Sequence, residues 1–111
     1  MKPLTTIYAG RMDSIHGGIV TVDGAKLSPR LDLRNHSPTG FAWGYGGSGP
    51  SQLSLAILAD FLHDDHEALE LYQSFKWRIV AQLDGDRKWK LNGQQIADVL
   101  AVLRAEARGG A

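Results

Sequence analysis

Between Leu53 and Leu62 the chain reads LSLAILADFL, and eight of those ten residues are apolar: Leu53, Leu55, Ala56, Ile57, Leu58, Ala59, Phe61 and Leu62. Wound as a helix, they leave almost no polar face. A helix that is apolar nearly all round is a buried, central one. The spacing predicts this first helix from about Ser51 to Phe61 or Leu62. Pro50 suits its first turn, where a missing N–H costs nothing, and Ser48 or Gly49 is the expected cap.

The segments around it read clearly. TTIYAGR, from Thr5 to Arg11, clusters β-branched and aromatic residues before a glycine and reads as a strand. GGIVTV, from Gly17 to Val22, is a second strand, and Asp23-Gly24 is a hairpin turn signal. AKLSPRLDLR supplies a third, irregular strand that Pro29 weakens. A second helix starts near Asp65, with Ala68, Tyr72, Phe75, Ile79 and Leu83 as one stripe. DGDRK is a turn and KWKL a short extended link or edge strand. Asn92 caps a third helix whose face is Ile96, Val99, Leu100 and Leu103. The expected fold is α+β: a small N-terminal antiparallel sheet or meander packed against about three helices, the first central and buried. One domain over 1–111, with a frayed tail over about 107–111, is expected.

Composition excludes several function classes. The chain has no cysteine, so disulfides and cysteine-ligated zinc are out. Twelve basic residues balance twelve acidic ones, which argues against broad nucleic-acid binding. Two local basic clusters remain: Arg30, Arg34 and His36, and Arg87, Lys88 and Lys90. Neither a secretory signal nor an apolar run long enough to cross a membrane is present, so a cytoplasmic protein without a membrane partner is expected.

The segment before the central helix carries the functional question. Five of the chain's thirteen glycines fall between Gly40 and Gly49, and Gly44, Gly46 and Gly49 fit G-x-G-x-x-G. In a dinucleotide fold such glycines let pyrophosphate approach a helix N-terminus. That fold also needs a second parallel strand about 20 residues on, ending in an acid. Here that distance lands on HDDHEALELY, a helical stretch, and Pro50 removes one amide donor. A nucleophile elbow centred on Ser48 would need glycine at position 50, where proline stands. Two readings stay open. The glycines only turn the chain while Trp43 and Tyr45 pack on the core, or the free amides at the helix start seat an anion.

Asp60, His63 and His66 fall at i, i+3 and i+6. Imidazole and carboxylate are zinc or manganese ligands, but the segment is a helix junction where aspartate caps the next helix, and no metal or other cofactor is assigned. His16 and His36 are single loop histidines, and no nucleophile–base pair emerges.

RNHSPTGFAWGYGGSGPSQLSLAIL, followed by LYQSFKWRIVAQL and WKLNGQQIADVL, resembles a family of short proteins known as a domain of unknown function, from bacteria, haloarchaea, plasmids and phages. The similarity covers roughly Ile7 to Leu103. It implies a hallmark of Asn35, His36, Ser37, Pro38, Gly40, Phe41, Trp43, Gly44, Tyr45, Gly46, Ser48, Gly49, Pro50 and Gln52, and a setting on mobile elements. Small neutral proteins in that setting resemble counter-defence factors, an analogy of setting and not of chemistry.

The expected function is a non-catalytic binding module holding an anionic or nucleotide-like ligand. Its candidate ligand-binding residues are Arg34, Asn35, His36, Ser37, Trp43, Tyr45, Gly46, Gly47, Ser48, Gly49 and Gln52. Arg34 and His36 would supply charge, Trp43 or Tyr45 a stacking face, and the helix amides the anion seat. The alternative is a protein-binding inhibitor of a host complex, for example a CRISPR effector. A small enzyme is the third reading. Homodimer formation is left open.

Overall fold

The computed structural model describes residues 1–109. In chain order the elements are β1 (Ile7–Asp13), β2 (Gly17–Val22), β3 (Ala25–Lys26), α1 (Ser48–Leu62), α2 (Asp65–Arg78), a 3-10 turn (Val80–Gln82), β4 (Trp89–Asn92) and α3 (Gly93–Ala107). The fold is α+β, with a four-stranded antiparallel sheet in the order β3-β2-β1-β4. The extended link before α3 thus becomes the edge strand β4, paired to the central strand β1 through Tyr8–Leu91 and Gly10–Trp89. The sheet is completed by a strand that arrives after two helices.

Strand alternation places Tyr8, Val20, Val22, Trp89 and Leu91 on one buried face. That face joins α1 in one apolar core, where Leu53, Leu55, Ile57, Leu58 and Phe61 are all fully buried. Tyr8 links the two layers: its hydroxyl donates to Asp60 Oδ2 at 2.6 Å. Burial, then the Asp60 carboxylate, pushes the Tyr8 phenol well above its ordinary pKa. Lys2 pairs with the same carboxylate at 2.8 Å. Asp60, the one ionisable residue of α1, is therefore doubly satisfied.

Local chemistry explains the boundaries. Asp23 and Gly24 both have positive φ, 48° and 85°, so the β2–β3 hairpin closes on two residues. Beyond Lys26 the third strand ends: Pro29 cannot donate to a ladder, and Arg30 turns to φ 54°. α1 begins three residues before the expected Ser51. Gly47, and not Ser48 or Gly49, is its cap, with no side-chain cap bond. Ser51 N–H closes the first turn on the Gly47 carbonyl at 3.0 Å, and Pro50 sits where no intrahelical donor is required. Asp64 caps α2 by accepting from Glu67 N–H. The expected α2 stripe is interrupted: the helix stops at Arg78, and Ile79 is its cap, with φ opened to −120°. The β-branched pair Ile79-Val80 favours that stop, and the Val80 carbonyl accepts from Gly44 N–H instead. α3 starts with a reciprocal capping box between Asn92 and Gln95. Of the expected tail, Ala107 still belongs to α3, Arg108 is its cap, and positions 110–111 lie outside the described residues.

Candidate functional site

The glycine segment lies against the N-terminal end of α1, and the structure divides its candidate residues into two groups. The first is spent on the protein's own main chain. Gln52 is fully buried. Its side-chain oxygen accepts from His36 N–H at 2.8 Å and Ser37 N–H at 3.2 Å. Its side-chain nitrogen donates to the carbonyls of Pro29 and Arg34, at 2.5 and 3.0 Å. One side chain thus staples both ends of the 29–37 loop to α1, and no valence remains for a ligand. His36 Nε2 shares a hydrogen bond of 2.7 Å with the Tyr72 hydroxyl of α2. Trp43 is only 1% exposed, donates to the Asp84 carbonyl, and meets Trp89 edge to face at 5.5 Å. A buried indole offers no stacking face, so the role expected for Trp43 or Tyr45 falls to Tyr45.

The second group opens to solvent. Ser37, Thr39, Tyr45, Ser48 and Gly49 line a cleft of about 250 Å³ together with Gly17, Gly18 and the 40–42 backbone. Tyr45 is 54% exposed. The Ser48 and Gly49 amides precede the first intrahelical bond of α1. The Ser37 hydroxyl donates to the Gly40 carbonyl at 2.9 Å and so shapes the wall. Among the described residues, no carboxylate lines the cleft.

The glycines have a physical reason. Gly46, Gly47 and Gly49 do not adopt positive φ. Instead, neighbouring atoms approach them closely. A Cβ at Gly46 would strike the Trp77 ring, one at Gly47 the Tyr45 ring, and one at Gly49 the Ala42 methyl at 2.6 Å. Two half-exposed aromatic rings therefore lie over consecutive glycines. Trp77 is the residue that sequence reading missed. It stands on the exposed side of α2 beside Lys76, whose ammonium sits 4.3 Å from the ring. An exposed tryptophan in FKWR was the available signal.

The remaining candidates are dispersed. Arg34 is exposed, and its guanidinium donates to the adjacent Leu33 carbonyl. Asn35 is exposed beside it, and neither residue lines the cleft. Arg30 is clamped by Asp32 and Asp65. Those hydrogen bonds raise the Arg30 pKa and lower that of Asp32. The Asp60, His63 and His66 set does not converge. Asp60 faces Tyr8 and Lys2, His63 caps α1 in the left-handed region, and His66 pairs with Glu70. Among the described residues, no three His, Cys, Asp or Glu side chains are grouped to hold a metal ion. Among the same residues, no helix is long and apolar enough to cross a membrane.

Neither the curated proteins nor the solved structures contain a match to this chain. A family model does match, over residues 8–102, a span that holds the sheet, the glycine segment, α1, α2 and most of α3. The chain belongs to the family of unknown function DUF6166.

Proposed function

We propose that the chain is a non-catalytic binding module that takes a small anionic, nucleotide-like ligand at the start of α1. The observation that carries this reading is the shared cleft: Tyr45, Ser48 and Gly49 line one cavity to which no carboxylate of the described residues contributes. The unbonded amides at a helix start bear roughly half a positive charge and favour an anionic group. The Ser48 hydroxyl adds a donor, and the exposed Tyr45 ring supplies a flat face for a base. Arg34 and His36 are outside this seat. From the resemblance to plasmid and phage proteins, we take the biological role to be counter-defence, by capture of a host signalling nucleotide. Inhibition of a host protein complex is the second reading, supported by the half-exposed Trp77.

Amide-resolved NMR titration with inorganic phosphate, mononucleotides and cyclic dinucleotides tests the ligand reading. The expected result is a shift of the Ser48 and Gly49 resonances, with Tyr45→Ala weakening nucleotide binding and sparing phosphate. Absence of any shift at these amides across the panel would remove the site.

A further inference from the structure

We propose that the outer face of the sheet is a docking surface for an extended, acidic segment of a partner protein carrying aliphatic side chains. The helices cover one face only. On the other, strand register sets Lys26, Thr21, Ala9 and Lys90 side by side in one row, with Ile19 opposite Arg11 in the next. Ala9, Gly10, Ile19, Thr21 and the edge of Trp89 line a cleft of about 360 Å³, together with the cations Arg11, Lys88 and Lys90. This site is separate from the cleft at α1.

Most of the charge on this face is uncompensated. No ion pair among the described residues involves Lys26, Lys88 or Lys90. Among the same residues, Arg11 meets only Asp13, at 3.7 Å. In a chain with equal numbers of acids and bases, this face has gathered cations. Lysines on an edge strand guard against aggregation, which accounts for Lys90 on β4 by itself. It does not account for Arg11, which stands on the central strand β1.

The floor decides the class of occupant. Single-stranded nucleic acid is held by aromatic stacking as well as charge, and the ring that lines this cleft, Trp89, is only 8% exposed and offers no open face to a base. It packs against Trp43. A second copy stacked face to face would set Arg11, Lys88 and Lys90 against their own like charges. An acidic segment with aliphatic side chains satisfies both the rim and the floor. β4 is the edge strand of the sheet, so an extended chain crossing this face can also run alongside it.

The test uses a fluorescent peptide alternating glutamate and valine, its lysine counterpart, and an oligothymidylate of equal charge. Anisotropy should show binding of the glutamate peptide alone, weakened by salt. Amide shifts should centre on Ala9, Ile19 and Lys90. The triple variant Arg11→Glu, Lys88→Glu, Lys90→Glu should lose affinity by about tenfold or more, as three rim pairs of ordinary size together imply. The NMR map on the unmodified protein stands even where that variant fails to fold. Equal or tighter binding of oligothymidylate, no binding of the glutamate peptide, or shifts that map elsewhere would overturn the proposal.

Discussion

The two halves of the glycine segment have opposite fates. From Asn35 to Trp43, together with Gln52, most polar and aromatic groups are turned inward and satisfied by the chain's own atoms. From Tyr45 to Ser48, the Tyr45 ring, Ser48 and the Trp77 ring that lies over Gly46 are open to solvent. The difference shows that a dense hallmark can be half architecture and half surface. A buried polar group must find a partner, because leaving it unpaired costs about 1–3 kcal/mol. Once Gln52 is on the buried helix, it must recruit the loop. Nothing forces Tyr45 or Trp77 to cover themselves.

The largest break strikes the support of both halves. Ile57→Asp puts an unpaired carboxylate into the fully buried α1. It should unfold a domain with only about 5–15 kcal/mol of stability. A folded variant by circular dichroism would show that the core has been misplaced. Next, Gln52→Leu keeps the volume and removes four hydrogen bonds to the main chain. A loss of about 2–4 kcal/mol is expected in denaturant melts. Hydrogen exchange should also rise at His36 and Ser37 while α1 stays protected. An unchanged midpoint would mean that water replaces the staple at no cost.

The glycines separate the halves more finely. Gly49→Ala drives a methyl into Ala42 and its backbone, which cannot swing aside. It should cost about 1–3 kcal/mol, the usual range for overpacking. Gly47→Ala meets only the half-exposed Tyr45 ring, which can move. Its cost should stay under about 1 kcal/mol. Equal melting temperatures for the two variants would erase the distinction between rigid and yielding contacts.

A pH scan extends the same rule to the inter-layer hydrogen bond. The folded Tyr8 phenol holds its proton above the ordinary value, so it stabilises the fold fully below about pH 10, the unfolded tyrosine value. As pH rises past that point the unfolded phenol ionises first, and stability falls. Tyr8→Phe should reduce the slope of stability against pH above about 10 relative to the unmodified protein. Parallel slopes would show that Tyr8 does not carry the alkaline loss. The smallest stability effect should come from the open half. Tyr45→Ala and Ser48→Ala should shift stability by no more than about 0.5 kcal/mol, as surface changes do. Both should still weaken binding at the α1 cleft. Full nucleotide binding by both stable variants would count against the seat.

Much of the fold was readable because it rests on local rules. The apolar run of α1, the Asp23-Gly24 turn, the Asn92 cap and the alternation of β1 and β2 each act within a few residues. The misplacements came where distant groups intervened. α1 starts early because Gly47 accepts from Ser51, and α2 ends early as Val80 accepts from Gly44 across the molecule. The candidate site was legible as a segment and not as a surface. Spacing cannot tell that Trp43 turns inward while Tyr45 turns outward, since that depends on Trp89 and Asp84, more than forty positions away in the case of Asp84.

Sequence by itself determined the order and type of most secondary elements, the central helix and the absence of cysteine chemistry, because periodicity, capping and composition are properties of the chain alone. Only the tertiary structure decided which polar groups are spent and which remain free. It closed Gln52 on the 29–37 loop and laid Trp77 over Gly46. It also inserted β4 beside β1, which brings Lys88 and Lys90 next to Arg11 on one uncovered face. Hydrogen bonding and close packing join groups by distance in space, and chain separation carries no record of that distance.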